Sequence, residues 1–334
     1  MFDYSHIDRL QKKIFSQLSP EEFNELAMEI FHYQACENIH YRDYIKYLGV
    51  DIRHIANHHA IPFLPIGFFK NHKITSGAFD EELVFTSSGT GGMQASNHYI
   101  RDLSLYKSSF MSGFRVFYGD PAQYRILALL PSYLEREGSS LVYMVKELIQ
   151  AGGYPESGFF LYDHDHLADR LKALSSNGMK TILIGVSFAL LDFAAQYSFQ
   201  LGENIILMET GGMKGRKEEI TRAELHKNLS KAFQLKSIHS EYGMTELLSQ
   251  AYSAGDGKFH TPPWMKVLIR DIRDPFNILA EGKTGAINII DLANIHSCAF
   301  IETQDIGKLH PDGSFEVLGR IDSSDIRGCS LLIQ

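Results

Sequence analysis

The run FTSSGTGGMQ, residues 85–94, combines three glycines with four hydroxyl side chains. Glycine lets backbone N–H groups approach anionic oxygens closely, and serine and threonine add hydroxyl donors. The run therefore has the chemistry of a phosphate-binding loop, lined by Thr86, Ser87, Ser88, Gly89, Thr90, Gly91 and Gly92. No lysine follows the last glycine, so the spacing of a P-loop nucleotide triphosphatase is excluded. Considered alone, the run is as typical of a solvated turn as of a phosphate site.

The second chemical motif is YGMTE, residues 242–246, which follows a β-type run and precedes a pattern that predicts a helix from Leu247. A hydroxyl and a carboxylate at the start of a helix can bind a phosphate and its Mg²⁺, because the helix N-terminus favours anions and carboxylate oxygens suit the metal. The structural alternative is that Thr245 caps the helix and Glu246 complements its dipole. For this motif alone, the structural alternative is the stronger.

A third candidate is Ser187, in the run GVSFA at residues 185–189, which follows a strand pattern and opens a helix. Such a turn is similar to the nucleophile elbow of a serine hydrolase. A catalytic triad would also need an aspartate or glutamate and then a histidine further along the chain. Such residues occur there, but in no recognisable motif, so catalysis by Ser187 is a weaker hypothesis than a phosphate site. His164 and His166 form a short His/Asp cluster, which we interpret as a polar loop with Asp165 as a helix cap and not as a metal site.

Strand and helix patterns alternate from Arg125 onward. The predicted strands are RILALLP, KTILIGV, NIILMET and SIHSEYG, and the predicted helices cover residues 140–150, 188–197 and 218–233. Repeated strand–helix units predict an α/β fold, with a mostly parallel sheet layered by helices on both faces.

The flanking segments have different patterns. Residues 7–47 carry apolar positions at helical spacing, with Ser19 as a cap and Pro20 at a first helical position. Residues 61–69 are predicted to form an extended segment packed on the main body. Beyond residue 261, short runs separated by turn sequences predict a small β-rich subdomain, the turns being Glu281-Gly282, Pro311-Asp312-Gly313 and Leu318-Gly319.

Composition excludes several classes of function. The formal net charge is −8 and lysine and arginine form no basic stripe, so nucleic acid is not an expected partner. Three cysteines without metal-ligand spacing fit a reducing compartment, which makes the cytoplasm the expected location. The most apolar stretch, 181–199, contains Asp192 and Gln196 and predicts a buried strand and helix instead of a membrane span, and no signal peptide is evident.

Together, SSGTGG and YGMTE, in that order in an α/β chain, resemble the signature of the adenylate-forming superfamily of acyl-CoA synthetase-like enzymes. Asp305 matches the family's ribose-binding aspartate, Arg320 in GRID matches an arginine that reaches ribose or phosphate, and ETGG at 209–212 matches the adenine-binding backbone. The resemblance implies ATP and Mg²⁺ as cofactors, with Glu246 as the metal ligand. Besides the glycine-rich run, it assigns to ATP the residues Gly211, Gly212, Tyr242, Gly243, Met244, Thr245, Asp305 and Arg320.

Over essentially its whole length, the chain is similar to the LuxE-type acyl-protein synthetases, through ETGGMKGRKEEITRAELH, EYGMTELLSQAY, IPFLPIGFFK and GRIDSSDIRGC. That family resembles the nucleotide-binding body of the superfamily and moves an acyl group from the adenylate to a cysteine near the C-terminus. The position that matches here is Cys329. The resemblance implies catalytic roles for Cys329, Thr245 and Glu246, a carboxylic acid substrate with a fatty acid favoured, and an acyl-acceptor protein such as a reductase or carrier protein.

The expected organisation is one domain over 1–334, with a helical lead-in at 1–80, an α/β nucleotide-binding core at 81–260, and the β-rich subdomain and tail at 261–334. Two features depart from the wider superfamily. Gln94 stands where a lysine usually ends the phosphate loop, and only 14 residues follow Arg320, so no C-terminal lid domain of ~100 residues is expected. A mobile tail that carries Cys329 would be a simple substitute for that lid.

Several alternatives stay open at this stage. On composition alone Cys329 is an inert tail thiol, although the neighbouring Arg327 would favour its thiolate. A ligase that uses the external thiol of CoA or of an acyl-carrier protein, a serine acyltransferase or thioesterase that uses Ser187, and a non-catalytic scaffold are the other hypotheses. The length of the acid, the final acceptor, the pathway and assembly into a homo-oligomer are also open.

Overall fold

The computed structural model describes residues 4–87, 94–131, 138–211 and 220–321. Their contacts divide the chain into two compact units. The central unit comprises residues 69–73 and 79–262, and the terminal unit comprises residues 1–68, 74–78 and 263–334, each as far as it is described.

The described helices have the following bounds: α1 Tyr4–Ile14, α2 Pro20–Glu37, α3 Ile39–Tyr47, α4 Phe68–Asn71, α5 Leu103–Tyr118, α6 Ser140–Gly152, α7 His164–Asn177, α8 Ser187–Gln196 and α9 Arg222–Phe233. None of these helices has both the length and the apolar character needed to cross a bilayer.

The described strands have the following bounds: β1 Leu64–Pro65, β2 Leu83–Thr86, β3 Asn97–Ile100, β4 Arg125–Leu129, β5 Gly158–Phe159, β6 Thr181–Val186, β7 Ile205–Thr210, β8 His239–Tyr242, β9 Ala251–Ser253, β10 Lys258–Phe259, β11 Met265–Arg270, β12 Thr284–Asp291, β13 Phe300–Leu309 and β14 Phe315–Arg320.

The central unit is built on a sheet with the order β5-β4-β6-β7-β8-β9. Its first five strands are parallel, and β9 runs antiparallel to β8. Every residue of β4 and β6 is buried, as expected for parallel strands covered on both faces. The predicted α/β fold with a layered, mostly parallel sheet is therefore confirmed.

Most of the predicted elements of this unit agree with the structure to within one or two residues, but the start of α9 does not. The helix predicted from residue 218 begins at Arg222, because Ile220 and Thr221 are not helical and the Thr221 hydroxyl accepts a hydrogen bond from the Glu224 N–H at 3.2 Å. The helix α7 begins at His164, two residues earlier than predicted, so its cap is Asp163 and not Asp165.

The helix predicted from Leu247 is wrong. Residues 245–246 form a turn, and the chain then enters β9, which pairs back onto β8 with Ala251 opposite Tyr242. Leu247 and Leu248 are both buried although they are adjacent, so their apolar character reflects enclosure on all sides and not one face of a helix. Thr245 therefore neither caps a helix nor lies at a helix N-terminus.

The terminal unit combines the N-terminal helices with antiparallel strands. The helical pattern predicted over residues 7–47 forms α1, α2 and α3, and a capping box joins Ser19 to Glu22 at the start of α2. Strands β11 to β14 pair in sequence, and β1 lies parallel to β13. The predicted turn at Leu318-Gly319 is wrong, since both residues lie within β14. The segment predicted as extended over 61–69 is extended only as far as Pro65, and a short helix begins at Phe68.

Candidate active site

The motif residues of the central unit lie where its parallel strands end. Strands β6, β7 and β8 end at Val186, Thr210 and Tyr242, and the chain continues directly into Ser187, Gly211 and Gly243. Parallel α/β sheets bind ligands in the crevice beyond the carboxyl ends of their strands. Thr210 and Glu241, which are 31 residues apart in sequence, lie opposite each other in the register of β7 and β8. Gly211 and the YGMTE motif, which follow these two positions, are therefore neighbours at the carboxyl ends of the strands.

Within the YGMTE turn, exposure differs from residue to residue. Tyr242 and Glu246 are buried, Met244 and Thr245 are half-buried, and Gly243 is exposed. A Cβ atom on Gly243 would lie 2.6 Å from a carboxylate oxygen of Glu241. A larger residue at this position would therefore displace the Glu241 carboxylate.

The glycine-rich run connects the two strands of an antiparallel hairpin, β2–β3, in which Thr86 lies opposite Asn97. The Ser87 N–H donates to the Ser96 carbonyl at 3.0 Å, and the Ser96 N–H donates to the Ser87 hydroxyl at 2.8 Å, which closes the base of the loop. Thr86 and Ser87 are the only predicted phosphate contacts in the described part of the run. Ser88, Gly89, Thr90, Gly91 and Gly92 lie outside the described residues.

Gln94, which replaces the lysine of the wider superfamily, lies at the other end of the run. Its side-chain amide donates to the carbonyl of Lys70 at 2.7 Å. The position therefore contributes a neutral contact within the central unit, and no cation.

His98 joins this hairpin to the YGMTE turn. It lies on β3, its ring is buried, and its Nδ1 lies 2.8 Å from the carbonyl oxygen of Thr245. Burial lowers the pKa of His98 to about 4, although the bond to Thr245 acts in the opposite direction. The strand that follows the glycine-rich run is therefore in direct contact with the YGMTE turn through a neutral imidazole.

Glu209, the penultimate residue of β7, is a buried carboxylate with several donors. Its Oε1 lies 3.0 Å from Arg222 Nε and 3.5 Å from His226 Nε2, both on α9. Burial alone would raise the pKa of Glu209, but the hydrogen bond from His226 and the charge of Arg222 outweigh it and hold the pKa below its usual value. Glu209 is thus an anion with a compensating cation.

Ser187, the first residue after β6, lies close to both Glu209 and Gly211. Its hydroxyl donates to the Gly211 carbonyl at 2.9 Å and lies 3.4 Å from Glu209 Oε2. Gly211 has a positive φ of 67°, which favours glycine. The predicted adenine-binding position is therefore fixed by a side chain from the neighbouring strand end.

Glu241 is the second buried carboxyl at this edge, and it lies on the opposite face of the sheet from Glu209. Thr210 is directly opposite Glu241 in the register of β7 and β8, and its hydroxyl donates to the Glu241 carboxylate. Burial raises the pKa of Glu241 to about 7, against the effect of the Thr210 bond, and the charge of Glu209 adds to the rise.

In the terminal unit, Asp305 and Arg320 are cross-strand partners on β13 and β14. Arg320 Nε lies 3.8 Å from Asp305 Oδ1. The Asp305 N–H donates to the Thr303 hydroxyl at 3.1 Å, and that hydroxyl donates to the Ile287 carbonyl at 2.7 Å. An aspartate beside an arginine offers an acceptor for sugar hydroxyls and a donor for phosphate oxygens.

Gly212 and Cys329 lie outside the described residues. Among the residues that the structure describes, no group of three or more histidine, cysteine, aspartate or glutamate side chains forms a metal site.

Sequence reasoning missed three of the functional contacts: the donors to Glu209, the Thr210–Glu241 pair and His98. A signal was present only for His98, because the alternation in NHYI places it with Ile100 on the buried side of a strand that leaves the glycine-rich run. The contacts of Glu209 depend on α9, whose start was predicted too early.

The chain is similar in sequence to known proteins over most of its length. The profile of the family described as acyl-protein synthetase, LuxE, matches residues 160–334, which is more than half of the chain. The chain is 26% identical over 301 residues to the "Long-chain-fatty-acid--luciferin-component ligase" of Aliivibrio fischeri, covering 81% of this chain and 77% of that protein.

Solved structures show the same fold at low identity. A 2-hydroxyisobutyryl-CoA ligase in complex with 2-HIB-AMP and CoA matches with a TM-score of 0.61 and 12% identity, over 92% of this chain and 72% of that one. ATP-bound MatB from Rhodopseudomonas palustris matches with a TM-score of 0.53 and 18% identity, over 73% of this chain and 49% of that one. The chain thus spans about half the length of MatB and has the fold of adenylate-forming enzymes. The family profile, which covers both the β7 strand end and the YGMTE turn, shows that the chain belongs to the LuxE family of acyl-protein synthetases.

Proposed function

We propose that this chain activates a carboxylic acid with ATP to form an acyl-adenylate and then transfers the acyl group to a thiol. The observation that carries the proposal is the meeting of two motifs, where the YGMTE turn contacts the hairpin of the glycine-rich run through His98. The turn also adjoins the β7 strand end. A fatty acid is the proposed substrate class, because the relative from Aliivibrio fischeri is named for a long-chain fatty acid.

In the first step, a carboxylate oxygen of the acid attacks the α-phosphorus of ATP. The bond from that phosphorus to the bridging oxygen breaks, and pyrophosphate leaves with the electron pair. Thr245 is proposed to donate its hydroxyl hydrogen bond to the α-phosphate, where negative charge builds up in the transition state. The backbone and hydroxyls of residues 86–92 are proposed to hold the phosphates.

Glu246 is proposed to hold Mg²⁺. It is a buried carboxylate, and Mg²⁺ in phosphate-transfer sites is bound by one or two carboxylates, by substrate phosphates and by water. When bound, the metal neutralises charge on the phosphate oxygens. The donor chemistry of the turn therefore fits this ion.

The other nucleotide contacts are proposed for residues at the ends of β7 and β8 and, separately, for two residues of the terminal unit. Tyr242, Gly243 and Met244 would bind ATP beside the Gly211-Gly212 backbone, which would face the adenine. In the terminal unit, Asp305 would accept hydrogen bonds from the ribose hydroxyls, and Arg320, whose side chain is 69% exposed, would reach ribose or phosphate.

In the second step, a thiolate attacks the carbonyl carbon of the acyl-adenylate and AMP leaves. Cys329 is the proposed nucleophile, and the guanidinium of Arg327, two residues earlier, would favour its thiolate. The acyl group would then pass to a partner protein, such as a reductase or carrier protein, since the name of the relative pairs the acid with a luciferin component.

The geometry does not support Ser187 as a nucleophile. Among the described residues, Ser187 has no histidine as a hydrogen-bonding partner, and its proton is donated to a backbone carbonyl. The nearby Glu209 is a weak base, since its pKa lies below the usual value despite burial. Within the described part of the chain, Ser187 therefore has no strong base that could activate it as serine catalysis requires.

Acid-dependent exchange of labelled pyrophosphate into ATP tests the adenylation step. We expect exchange by the wild type with fatty acids and a loss of at least about 100-fold in Glu246→Ala, because the phosphate charge loses its metal ligand. The matched control is Glu281→Ala, which removes an exposed carboxylate from a hairpin turn of the terminal unit. Absence of exchange in the wild type across a broad panel of acids would contradict adenylation.

The thiol step is tested separately with Cys329→Ser. We expect this variant to keep exchange but to lose the hydroxylamine-sensitive acyl-enzyme that forms from radiolabelled acid. Labelling of CoA or of a carrier protein, with none on the chain, would show that the thiol is external.

A further inference from the structure

The contact between His98 and Thr245 links two segments that are 147 residues apart in sequence. His98 lies on the strand that leaves the glycine-rich run, opposite Phe85 on the strand that enters it. Its side chain is 1% exposed, so water does not compete for the bond. The bond is therefore a direct connection between the phosphate-loop hairpin and the YGMTE turn.

The chemistry of the acceptor determines the tautomer of His98. A backbone carbonyl can only accept, so Nδ1 must carry the proton, and Nε2 of the neutral ring is then an acceptor. The ring of Phe69 packs against the imidazole at 5.7 Å in an edge-to-face arrangement, with an interplanar angle of 84°. This packing limits rotation of the ring away from Thr245.

The turn that receives this bond is irregular, and within it the Leu247 N–H donates to the Met244 carbonyl at 3.1 Å. The direction of the Thr245 carbonyl sets the plane of the peptide between Thr245 and Glu246, and hence the positions from which both side chains project. The neutral imidazole of His98 can fix the direction of the Thr245 carbonyl without placing a cation next to the Thr245–Glu246 peptide.

We propose that His98 is a positioning residue for nucleotide activation: its Nδ1–H holds the Thr245 carbonyl, so that the hairpin of the glycine-rich run and the turn that carries Thr245 and Glu246 keep one relative geometry. This inference rests on the proposed function, since it assigns His98 to the ATP side of that reaction. It also explains why a histidine occupies an otherwise apolar position of β3.

The test compares three variants by pyrophosphate exchange, with separate KM values for MgATP and for the acid. His98→Leu removes the donor and keeps an apolar side chain, whereas His98→Asn keeps a donor close to the position of Nδ1. Tyr99→Phe is the matched control, because it changes the neighbouring residue of the same strand on its other face. Thermal unfolding of each variant reports on the fold.

We expect His98→Leu to lower kcat/KM for MgATP roughly tenfold, the effect of one lost hydrogen bond, with the KM for the acid changed by less than about twofold. His98→Asn should recover most of that loss, and Tyr99→Phe should behave as the wild type. The inference is overturned if His98→Leu has normal MgATP parameters. It is also overturned if both KM values and the thermal midpoint worsen together in His98→Leu and are not rescued in His98→Asn.

A second measurement separates this inference from the proposed function. If the wild type shows no exchange, equilibrium binding of MgATP replaces the rate. Weakening of about tenfold in His98→Leu, with Tyr99→Phe unchanged, would still support the positioning role. Equal affinity in all variants would reject it. The ¹⁵N shifts of His98 in the wild type should also show a neutral ring protonated at Nδ1, and a ring protonated at Nε2 would contradict the proposal.

Discussion

Glu209 and Glu241 are buried carboxyls at the ends of neighbouring parallel strands, yet their surroundings move their pKa values in opposite directions. Glu209 points to the face covered by α9, where Arg222 and His226 supply donors and its pKa is lowered. Glu241 points to the other face, where its hydrogen-bonding partner is the hydroxyl of Thr210 and burial raises its pKa to about 7.

The difference between these two carboxyls shows that the available partners, and not the depth of burial, decide the charge at this edge. Burial penalises the anion in both cases. On the α9 face the penalty is offset by a cation, and the anion can then hold the hydroxyl of Ser187 next to Gly211. Of the described residues on the other face, Tyr106, Tyr118 and Tyr252 interact electrostatically with Glu241, and none of the three supplies a positive charge.

The largest effect is expected when the cation of the Glu209 face is removed. Arg222→Met should lower the free energy of unfolding by about 3 kcal/mol, because a buried carboxylate would lose its charged partner. The expected loss of stability is in the lower part of the range for broken buried ion pairs, because the Arg222 side chain is 28% exposed and His226 remains as a donor to Glu209. Urea unfolding at pH 7.5 measures the change.

Arg222→Lys is the control for this substitution, since it keeps the charge but not the shape of the guanidinium. It should lose clearly less stability than Arg222→Met. A loss below about 1 kcal/mol in Arg222→Met would place the pair among ordinary surface ion pairs and would remove the contrast between the two faces.

A smaller, pH-dependent effect is expected at Glu241. The pKa of this group rises from 4.5 in the unfolded chain to about 7 in the folded one, so the folded state binds the extra proton between these values. The contribution of Glu241 to stability therefore decreases as the pH rises through this window and is constant above it. Glu241→Gln removes this dependence. The difference in free energy of unfolding between the variant and the wild type should therefore shift by about 2 kcal/mol in favour of the variant when the pH is raised from 5 to 7.5.

Glu209→Gln is the matched control, because the pKa of Glu209 is lowered and its stabilisation is present throughout that window. Its difference from the wild type should be nearly the same at pH 5 and at pH 7.5. If Glu241→Gln also showed a constant difference across the two pH values, the carboxyl of Glu241 would be charged in the folded protein and the two faces would be alike.

Much of the fold follows from local patterns in the sequence. Strands β4, β6 and β7 lie in a sheet that is covered on both faces, so their sequences are short and almost continuously apolar. Such runs can be recognised as strands from the sequence. The capping box of Ser19 and Glu22 is likewise local. The predicted helix after YGMTE was wrong because β9 obtains its conformation by pairing with β8, which is a tertiary contact.

The site could be predicted in part for the same reason. YGMTE and Gly211 were predicted from motifs to share one site, and the structure places both beyond the ends of the neighbouring strands β7 and β8, while their binding roles stay predictions. The charge states of Glu209 and Glu241 could not be predicted, because they depend on which helix packs on which face of the strand. His98 needed the distance to Thr245, which no pattern within β3 contains.

The smallest effect is expected at Ser187, which connects the anionic face to the predicted adenine position. Ser187→Ala removes one hydrogen bond to the Gly211 carbonyl, and the free energy of unfolding should fall by about 1 kcal/mol. Pyrophosphate exchange should persist, with a KM for MgATP raised severalfold and the KM for the acid unchanged. Steady-state exchange and urea unfolding on the same preparation measure both quantities.

Ser187→Thr is the control for this last substitution, since it keeps the hydroxyl that donates a hydrogen bond to the Gly211 carbonyl and adds one methyl group. It should restore the KM for MgATP more fully than it restores stability, because the extra methyl is buried beside a close-packed strand end. Complete loss of activity in Ser187→Ala with an intact fold would instead make Ser187 a nucleophile. In that case Glu209, whose carboxylate lies 3.4 Å from the Ser187 hydroxyl, would be the nearest base among the described residues, although its lowered pKa makes it a weak one.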